Sequence, residues 1–240
     1  MSQVLQLLVW ARRVAYARGW LAQRRLPVPV IVVGNRIVGG AGKTPTTLAL
    51  LSHLRRQGWM PGVLTRGYGA SSREPDAPPL LIDQSNAHPD VGLTGDEPLL
   101  IWRRTGVPLA IAADRVRGGQ TLLQHHPEVN ILVCDDGLQH LRLARDIEIV
   151  VYDERGAGNG WLLPAGPLRE PVNTPASPGL ACPPLVMYNA PRASTELPGH
   201  LSASTLAARP PRCAGGSGSW LPSTQIQSRP AINRNSHSLS

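Results

Sequence analysis

The chain has 240 residues, of which 42% are hydrophobic and 17% are charged, and its formal net charge is +8. This length accommodates one full α/β core with terminal extensions, whereas two complete domains would fit poorly. The three cysteines lack paired or CxxC spacing and no apolar run approaches the ~18–20 residues of a membrane span, which argues against a disulfide framework, a zinc site and a membrane-spanning helix. We expect a cytoplasmic α/β protein whose positive charge attracts an anionic partner.

Residues 2–24 have the periodicity of an amphipathic helix. Apolar residues recur at helical spacing, and the arginines among them supply positive charge. Trp10, Tyr16 and Trp20 add side chains that favour a membrane interface. The pattern fits two alternatives equally well: a helix that lies on an anionic bilayer surface, or an N-terminal helix that packs on its own domain.

A strand, a glycine-rich loop and a helix follow one another after Pro27. The β-branched run Val28–Val33 is typical of a buried parallel strand. The loop Ile37–Thr44 contains the Gly-Lys-Thr core of a phosphate-binding loop, although Ile37 occupies the usual first glycine position. A helix over Thr44–Gln57 follows, with leucines on one face and arginines in its last turn. This order is the one that a P-loop requires.

The loop offers backbone N–H groups to phosphate oxygens, and the helix N-terminus adds a partial positive charge. Lys43, the only lysine in the chain, would reach the β- and γ-phosphates of ATP, and the Thr44 hydroxyl would bind Mg²⁺. A glycine-rich turn without function is the alternative, and the flanking strand and helix favour the phosphate loop. The predicted nucleotide-binding residues are Ile37, Val38, Gly39, Gly40, Ala41, Gly42, Lys43 and Thr44.

Strand and helix patterns alternate along the next hundred or so residues, which predicts a mostly parallel sheet covered by helices. The predicted strands are Gly62–Thr65, Val107–Ala112, Val129–Cys134 and Ile147–Tyr152, and the predicted crossover helices are Pro98–Arg104 and Arg115–His125. The polar segment Ala70–Pro89 is predicted to be a surface loop. Beyond Pro171, only Leu185–Tyr188 has a strand pattern, and Ala214–Ser240 has the composition of a disordered tail.

Carboxylates occur at two positions where they can serve phosphate chemistry. Asp135 and Asp136 follow an apolar strand, as a Walker B acid does, so one of them could hold Mg²⁺; an ordinary Asp-Gly turn is the alternative. Asp96 and Glu97 precede an apolar run, where they either open a helix or accept the proton of an attacking hydroxyl. Spacing alone leaves these two roles even.

Two loops carry residues that could contact a phosphorylated substrate. Arg66-Gly-Tyr-Gly69 follows a strand and fits either an anion contact or a tight turn. The proline-rich loop Pro164–Pro171 presents Arg169, which could contact phosphate, and Glu170, which could contact metal. His140 and the other histidines lack partners at metal-ligand spacing, so a solvated or core position is their default.

Six motifs occur in the same order as in the tetraacyldisaccharide 4'-kinases of lipid A biosynthesis, and the chain resembles that family from about Trp10 to Pro171. These motifs are Pro27–Asn35, Val38–Pro45, Arg66–Gly69, Gly95–Pro98, Asp135–His140 and Pro164–Pro171. The family's own phosphate loop also lacks the first glycine. The resemblance implies a P-loop fold and ATP-dependent phosphorylation of the 4'-hydroxyl of a disaccharide lipid 1-phosphate, at the cytoplasmic face of a Gram-negative inner membrane.

The resemblance also implies a role for each matching residue, with Asp96 as the general base. The implied residues are Lys43, Asp96 and Asp136 for catalysis, Thr44, Asp135 and Glu170 for Mg²⁺, and Arg66, Tyr68, Gln139, His140 and Arg169 for the substrate. ATP and Mg²⁺ are the expected cofactors. The lipid and an anionic membrane surface are the expected partners, and no nucleic acid is expected.

The expected organisation is a membrane-associating helix over residues 1–25, a kinase core over 26–170 and a divergent, largely disordered tail over 171–240. Family members usually continue into a further α/β portion that contributes a catalytic histidine, and neither His200 nor His237 can be assigned that role. The alternative function is therefore a truncated, catalytically impaired nucleotide-binding relative. A P-loop GTPase or metallochaperone is disfavoured, because the chain has no N-K-x-D sequence for reading guanine.

Overall fold

The computed structural model describes residues 2–67, 77–86, 91–180 and 182–189. The predicted disordered segment Ala214–Ser240 and the predicted substrate residue Tyr68 lie outside these ranges, and so do His200 and His237.

The described part of the chain forms five helices and seven strands. The helices are α1 (Ser2–Ala17), α2 (Lys43–Arg56), α3 (Val91–Thr94), α4 (Asp96–Thr105) and α5 (Arg115–His125). The strands are β1 (Val30–Gly34), β2 (Pro61–Thr65), β3 (Leu80–Ile82), β4 (Leu109–Ile111), β5 (Ile131–Asp135), β6 (Ile147–Asp153) and β7 (Leu185–Asn189). A single 3-10 turn, Gln84–Asn86, follows β3.

The strands form one sheet in the order β3-β4-β2-β5-β1-β6-β7. All neighbouring pairs are parallel except β3 with β4, which is antiparallel. The central strands β1 and β5 are buried along their whole length, as expected for apolar runs covered on both faces. This confirms the prediction of an α/β fold with a mostly parallel sheet.

Alternate residues of the strands build two apolar cores, one on each face of the sheet. Val116 and Leu122 of α5 belong to the core that contains Val32 of β1. Leu51 of α2 and Ile101 of α4 belong to the opposite core. The helices therefore cover both faces and leave the carboxyl edge of the sheet accessible between them.

The first predicted helix is shorter than expected, because α1 ends at Ala17 and Gly19 takes a left-handed backbone conformation with φ of 73°. Leu5 packs against a small apolar cluster that includes Ile37 and Leu168. One side of α1 thus packs on its own domain, as one of the two alternatives expected. No helix in the described ranges is both long enough and apolar enough to span a bilayer.

Two other expectations need correction. The segment Ala70–Pro89 contains β3, which sequence reasoning missed because three apolar residues among polar neighbours are too short for a periodicity signal. Ile82 is nevertheless fully buried. The antiparallel pairing with β4 gives backbone N–H and C=O groups of β3 their hydrogen-bond partners. At the other end, the predicted strand Leu185–Tyr188 is confirmed as β7, which pairs with β6 from Leu185 to Asn189, so the sheet continues beyond the expected core boundary at residue 170.

Candidate active site

The predicted site residues meet at the carboxyl edge of the sheet. The phosphate loop follows β1, and the register that pairs Val33 with Asp135 places the end of β5 beside it. Thr65 ends β2 at the same edge. In open α/β sheets, ligands bind at this edge, where neighbouring loops diverge.

Lys43 lies at the start of α2, directly after Gly42. Gly42 has a left-handed conformation with φ of 81°, which favours glycine, and a Cβ at this position would also force the Asn189 side chain to shift. The Lys43 Nζ is 3.3 Å from Asn35 Oδ1 and 3.7 Å from Asp136 Oδ1. Asn35 also donates from Nδ2 to the Gly39 carbonyl, at 3.0 Å, and so ties the loop to its lysine. Asn35 therefore connects the middle of the predicted phosphate loop with the lysine at its end.

Asp135 is buried at the end of β5, where Thr47 Oγ1 donates a hydrogen bond to its Oδ1 at 2.8 Å. Burial raises the pKa of Asp135 to about 6; the Thr47 hydrogen bond opposes this shift, while the charge of Asp136 adds to it. Sequence reasoning missed Thr47, although its position three residues after Thr44 places both hydroxyls on one face of α2.

The acidic pair fits a divalent cation. Asp136 follows Asp135 directly and has φ of 50°, a left-handed conformation that is uncommon for non-glycine residues, although Asp adopts it more often than most. The two adjacent carboxylates and the Thr44 hydroxyl are oxygen ligands of the kind that Mg²⁺ prefers. Phosphate and water would supply the remaining ligands. Within the described ranges, no group of three or more acidic, histidine or cysteine side chains is placed to hold a metal ion by itself.

A cavity of about 490 Å³ adjoins Asp136. Its walls include four arginines, two carboxylates and two further polar side chains, namely Arg12, Arg66, Arg115, Arg169, Glu97, Asp136, Gln139 and His140. Four of the five predicted substrate residues are therefore together, and the fifth, Tyr68, lies outside the described residues. Arg12 and Arg115 were not predicted, since one lies in the N-terminal helix and the other begins α5. The excess of guanidinium groups suits a phosphorylated ligand.

Asp96 begins α4 after Gly95, whose φ of 79° and ψ of 161° are accessible essentially to glycine alone. Asp96 is exposed, and it is Glu97 that lines the cavity. Both residues lie in the first turn of the helix, as one of the two alternatives predicted. There the negative carboxylates interact favourably with the partial positive charge of the helix N-terminus. The role of Asp96 as a base stays a prediction.

His140 is held in its neutral form. Burial and, to a lesser extent, the nearby Arg115 charge lower its pKa to about 4, and the Asp114 carboxylate offsets only part of this shift. Its Nε2 is buried without a hydrogen-bond partner among the described residues, and Asp114 Oδ1 lies 3.7 Å away. A buried polar atom of this kind at a cavity wall is suited to a ligand group.

Arg169 and Glu170 point to different places. The Arg169 guanidinium lies 3.2 Å from Asp136 Oδ2, which places it at the site. Glu170, expected as a Mg²⁺ ligand, is buried with its Oε2 3.5 Å from Arg13 of α1. Burial raises the pKa of Glu170, and the strongest opposing charge is that of Arg13. Glu170 is paired with Arg13 because a buried carboxylate needs a cationic partner, and α1 supplies one.

The model of one protein family, tetraacyldisaccharide-1-P 4'-kinase (LpxK), matches residues 1–196. The chain belongs to this family. An LpxK relative from Leptothrix cholodnii is 55% identical over 199 residues, which cover 83% of this chain and 54% of the relative. One from Methylibium petroleiphilum is 54% identical over 182 residues, 76% of this chain and 48% of the relative. Both are named tetraacyldisaccharide 4'-kinase.

A third LpxK relative, from Acidovorax sp. (strain JS42), is 46% identical over 238 residues, which cover 96% of this chain and 63% of the relative. Its alignment therefore reaches into the segment that was predicted to be divergent. The crystal structure of LpxK from Aquifex aeolicus in complex with ATP superposes with a TM-score of 0.63 and 33% identity, covering 71% of this chain and 52% of that one. The chain spans from about half to just under two thirds of the length of the LpxK relatives it matches. Membership confirms the predicted resemblance.

Proposed function

We propose that this chain transfers the γ-phosphoryl group of ATP to the 4'-hydroxyl of a tetraacyldisaccharide 1-phosphate. The observation that carries the proposal is the juxtaposition of Lys43, the Asp135-Asp136 pair and the cavity with four arginines at one edge of the sheet. The family membership and the ATP complex of the Aquifex aeolicus protein support it. Nothing in the comparisons favours the impaired relative over the kinase.

The nucleotide would occupy the loop Ile37–Thr44. Its phosphates would accept hydrogen bonds from the loop N–H groups and from Lys43, which is already oriented by Asn35. Mg²⁺ held by Thr44, Asp135 and Asp136 would neutralise charge on the phosphates. Thr47 keeps the Asp135 carboxylate oriented towards this position through its hydrogen bond.

The sugar phosphate would occupy the arginine cavity. Arg66, Arg115 and Arg169 supply guanidinium groups that match phosphate oxygens. Neutral His140 and Gln139 can exchange hydrogen bonds with sugar hydroxyls, because a neutral imidazole has one donor and one acceptor nitrogen.

The transfer itself requires that the 4'-oxygen attack the γ-phosphorus in line with the leaving oxygen of ADP. The hydroxyl proton would pass to Asp96, the P–O bond to ADP would break, and the products would be ADP and the 4'-phosphate. Glu97, the residue next to Asp96, has its carboxylate on the wall of the cavity. Catalysis of this type is mainly positioning and charge neutralisation, which the charged walls provide.

We further propose that the chain works at the cytoplasmic face of a bacterial inner membrane. Support comes from the exposed apolar side chains of α1, which include Leu7, Leu8 and Trp10, and from Arg12, which joins α1 to the cavity. A lipid whose head enters the cavity would then stay near the bilayer that holds its acyl chains.

The decisive experiment uses purified protein, radiolabelled ATP and the disaccharide lipid 1-phosphate in mixed micelles. We expect a labelled 4'-phosphate, and we expect Lys43→Ala to lower kcat/KM by about 10²-fold or more, as loss of a charged transition-state contact does. Arg18→Ala, which removes an exposed charge distant in sequence from the loop, serves as the control. No product from the wild-type chain under conditions where the Leptothrix cholodnii relative is active would contradict the proposal. ATP binding that depends on Lys43, without transfer, would favour the impaired relative.

A further inference from the structure

Helix α1 carries two consecutive arginines with different environments. Arg12 lines the cavity, whereas Arg13 points into the protein. The Arg13 side chain is 13% exposed, lies 3.5 Å from Glu170 Oε2 and donates a hydrogen bond to the Pro175 carbonyl at 2.5 Å. By contrast, Val4, Leu7 and Leu8 are each about 60% exposed. Arg13 is therefore a polar contact on the face of α1 that packs on the domain.

Glu170 connects this contact to the site. It follows Arg169, and the two side chains make contacts in different places: Arg169 with Asp136, and Glu170 with Arg13. Arg169 contacts Asp136 at 3.2 Å, and its backbone N–H donates to the Arg36 carbonyl at 2.7 Å. A rotation of the loop that moved Glu170 would therefore also move the guanidinium that faces the site.

Further charges surround Glu170 and restrict how it can respond. Arg36 donates to the carbonyls of Val172 and Thr174, and its charge also favours the ionised form of Glu170, less strongly than the charge of Arg13 does. Arg145 pairs with the buried Glu148 at 3.1 Å. Among the described residues, Arg13 is the one cationic side chain in direct ion-pair contact with Glu170.

Loss of Arg13 would therefore leave a buried carboxylate without its direct partner. Glu148 lies close enough for its charge to disfavour the ionised form of Glu170 as well. Leaving one member of a buried ion pair uncompensated is strongly unfavourable. Two responses relieve it: Glu170 takes up a proton, or the carboxylate moves towards water, and either one ends the ion pair that holds the loop. The segment that would move is the loop that carries Arg169.

We propose that Arg13 is a positioning residue: through its ion pair with Glu170 it holds the loop 164–171 so that Arg169 faces Asp136. This inference rests on the proposed kinase function. It assigns Glu170 to the support of Arg169 in place of metal binding, and it couples the seating of the N-terminal helix to the geometry of phosphoryl transfer.

The first test compares three variants in the transfer assay. Arg13→Gln keeps a donor for the Pro175 carbonyl but removes the charge, Arg13→Lys keeps the charge, and Arg18→Ala removes the same charge from an exposed arginine that stacks on Trp20. We expect Arg13→Gln to lower kcat by about tenfold or more with little change in KM for ATP, since small misplacements of a catalytic group are costly. Arg13→Lys should recover part of this loss, and Arg18→Ala should resemble the wild type. Equal kcat for Arg13→Gln and Arg18→Ala would overturn the proposal.

A double-mutant cycle separates positioning from general destabilisation. If Arg13 acts through Arg169, Arg13→Gln combined with Arg169→Ala should be no slower than Arg169→Ala alone. Losses that multiply would show that Arg13 acts independently and would overturn the inference.

A second measurement does not depend on activity. The Arg169 N–H is bonded to Arg36, so hydrogen–deuterium exchange of peptides covering residues 164–171 reports the order of the loop directly. Arg13→Gln should speed this exchange, while Arg18→Ala should not. If the wild type transfers no phosphate but this exchange difference is present, the kinase proposal fails and the positioning contact stands; unchanged exchange in Arg13→Gln contradicts the positioning contact itself.

Discussion

Thr47 and Asp135 illustrate how single residues set the properties of the site. Their hydrogen bond of 2.8 Å is formed between two fully buried side chains, 88 positions apart in sequence. Burial makes the ionised form of Asp135 costly, and the hydroxyl is the contact that most strongly offsets this cost. A group kept as an anion in this environment is well suited to attract a cation.

Replacement of Thr47 by valine keeps the shape of the side chain and removes the donor. We expect the free energy of unfolding at pH 7 to fall by about 1–3 kcal/mol, the usual cost of leaving a buried acceptor unsatisfied. Chemical denaturation followed by circular dichroism measures this change. Thr46→Val is the matched control, because Thr46 donates only to the Gly42 carbonyl and is partly exposed. A loss in Thr46→Val as large as that in Thr47→Val would show that the buried hydrogen bond is not the cause.

At the scale of elements, the sheet places the segments that follow four strands around one cavity. Residues after β2, β4, β5 and β6 line it. Asn189 of β7 lies beside Gly42 in the phosphate loop. The antiparallel strand β3 extends the sheet next to β4, and Asp83 directly after it contacts α5 through His126. This contact ties the far edge of the sheet to the helix that begins with Arg115.

The contact between His126 and Asp83 gives a pH dependence of stability. His126 Nε2 is 3.0 Å from Asp83 Oδ2, and His126 Nδ1 is 3.0 Å from Glu128 Oε1. Burial lowers the pKa of His126, but its hydrogen bonds to Glu128 and Asp83 outweigh burial and raise the pKa overall. A raised pKa stabilises the fold at pH values below the ordinary histidine pKa, and this stabilisation disappears as the pH rises through the folded-state pKa.

We therefore expect His126→Ala to destabilise the protein more at pH 6 than at pH 8.5, by less than about 1 kcal/mol because the pair is partly solvated. Urea unfolding at the two pH values checks this. His125→Ala is the control, since its ring contacts the Thr121 carbonyl and no carboxylate among the described residues. The same pH trend in both variants would contradict the assignment to the Asp83 contact.

At the scale of the whole molecule, α1 has two different faces. Leu5 and Arg13 face the domain, and Val4, Leu7, Leu8 and Trp10 are exposed. An exposed apolar stripe on a positively charged protein fits attachment to an anionic lipid surface, where apolar insertion and charge attraction add.

Sedimentation with vesicles of anionic and neutral lipids tests this attachment. We expect binding to anionic vesicles that weakens with salt, because screening shortens the range of charge attraction. Leu7→Ser combined with Leu8→Ser should reduce binding about tenfold or more, since each buried apolar side chain contributes about 1.5–3 kcal/mol. Leu93→Ser combined with Leu100→Ser removes two leucines that are also exposed but lie outside α1, and should leave binding unchanged. Equal losses in the two pairs would exclude α1 as the attachment surface.

The sequence by itself determined the local order of this protein. The β-branched run before the phosphate loop, the helix after it and the apolar run before Asp135 were predicted within a few residues of β1, α2 and β5. Helix α5 was predicted with the bounds that the structure has, because its N-cap Asp114 and its apolar spacing are local signals. The family motifs, which are also short stretches, included the five predicted substrate residues, and four of these line the cavity: Arg66, Gln139, His140 and Arg169.

Only the tertiary structure decided which side chains meet. Arg12 and Arg115 join Arg66 and Arg169 around one cavity, Thr47 donates to Asp135, and Glu170 contacts Arg13 of α1. Periodicity states which face of an element is apolar, but it carries no information about which distant element packs on that face. A contact between residues 13 and 170 depends on how α1 and the loop are both placed by the sheet, and that placement is a property of the folded core.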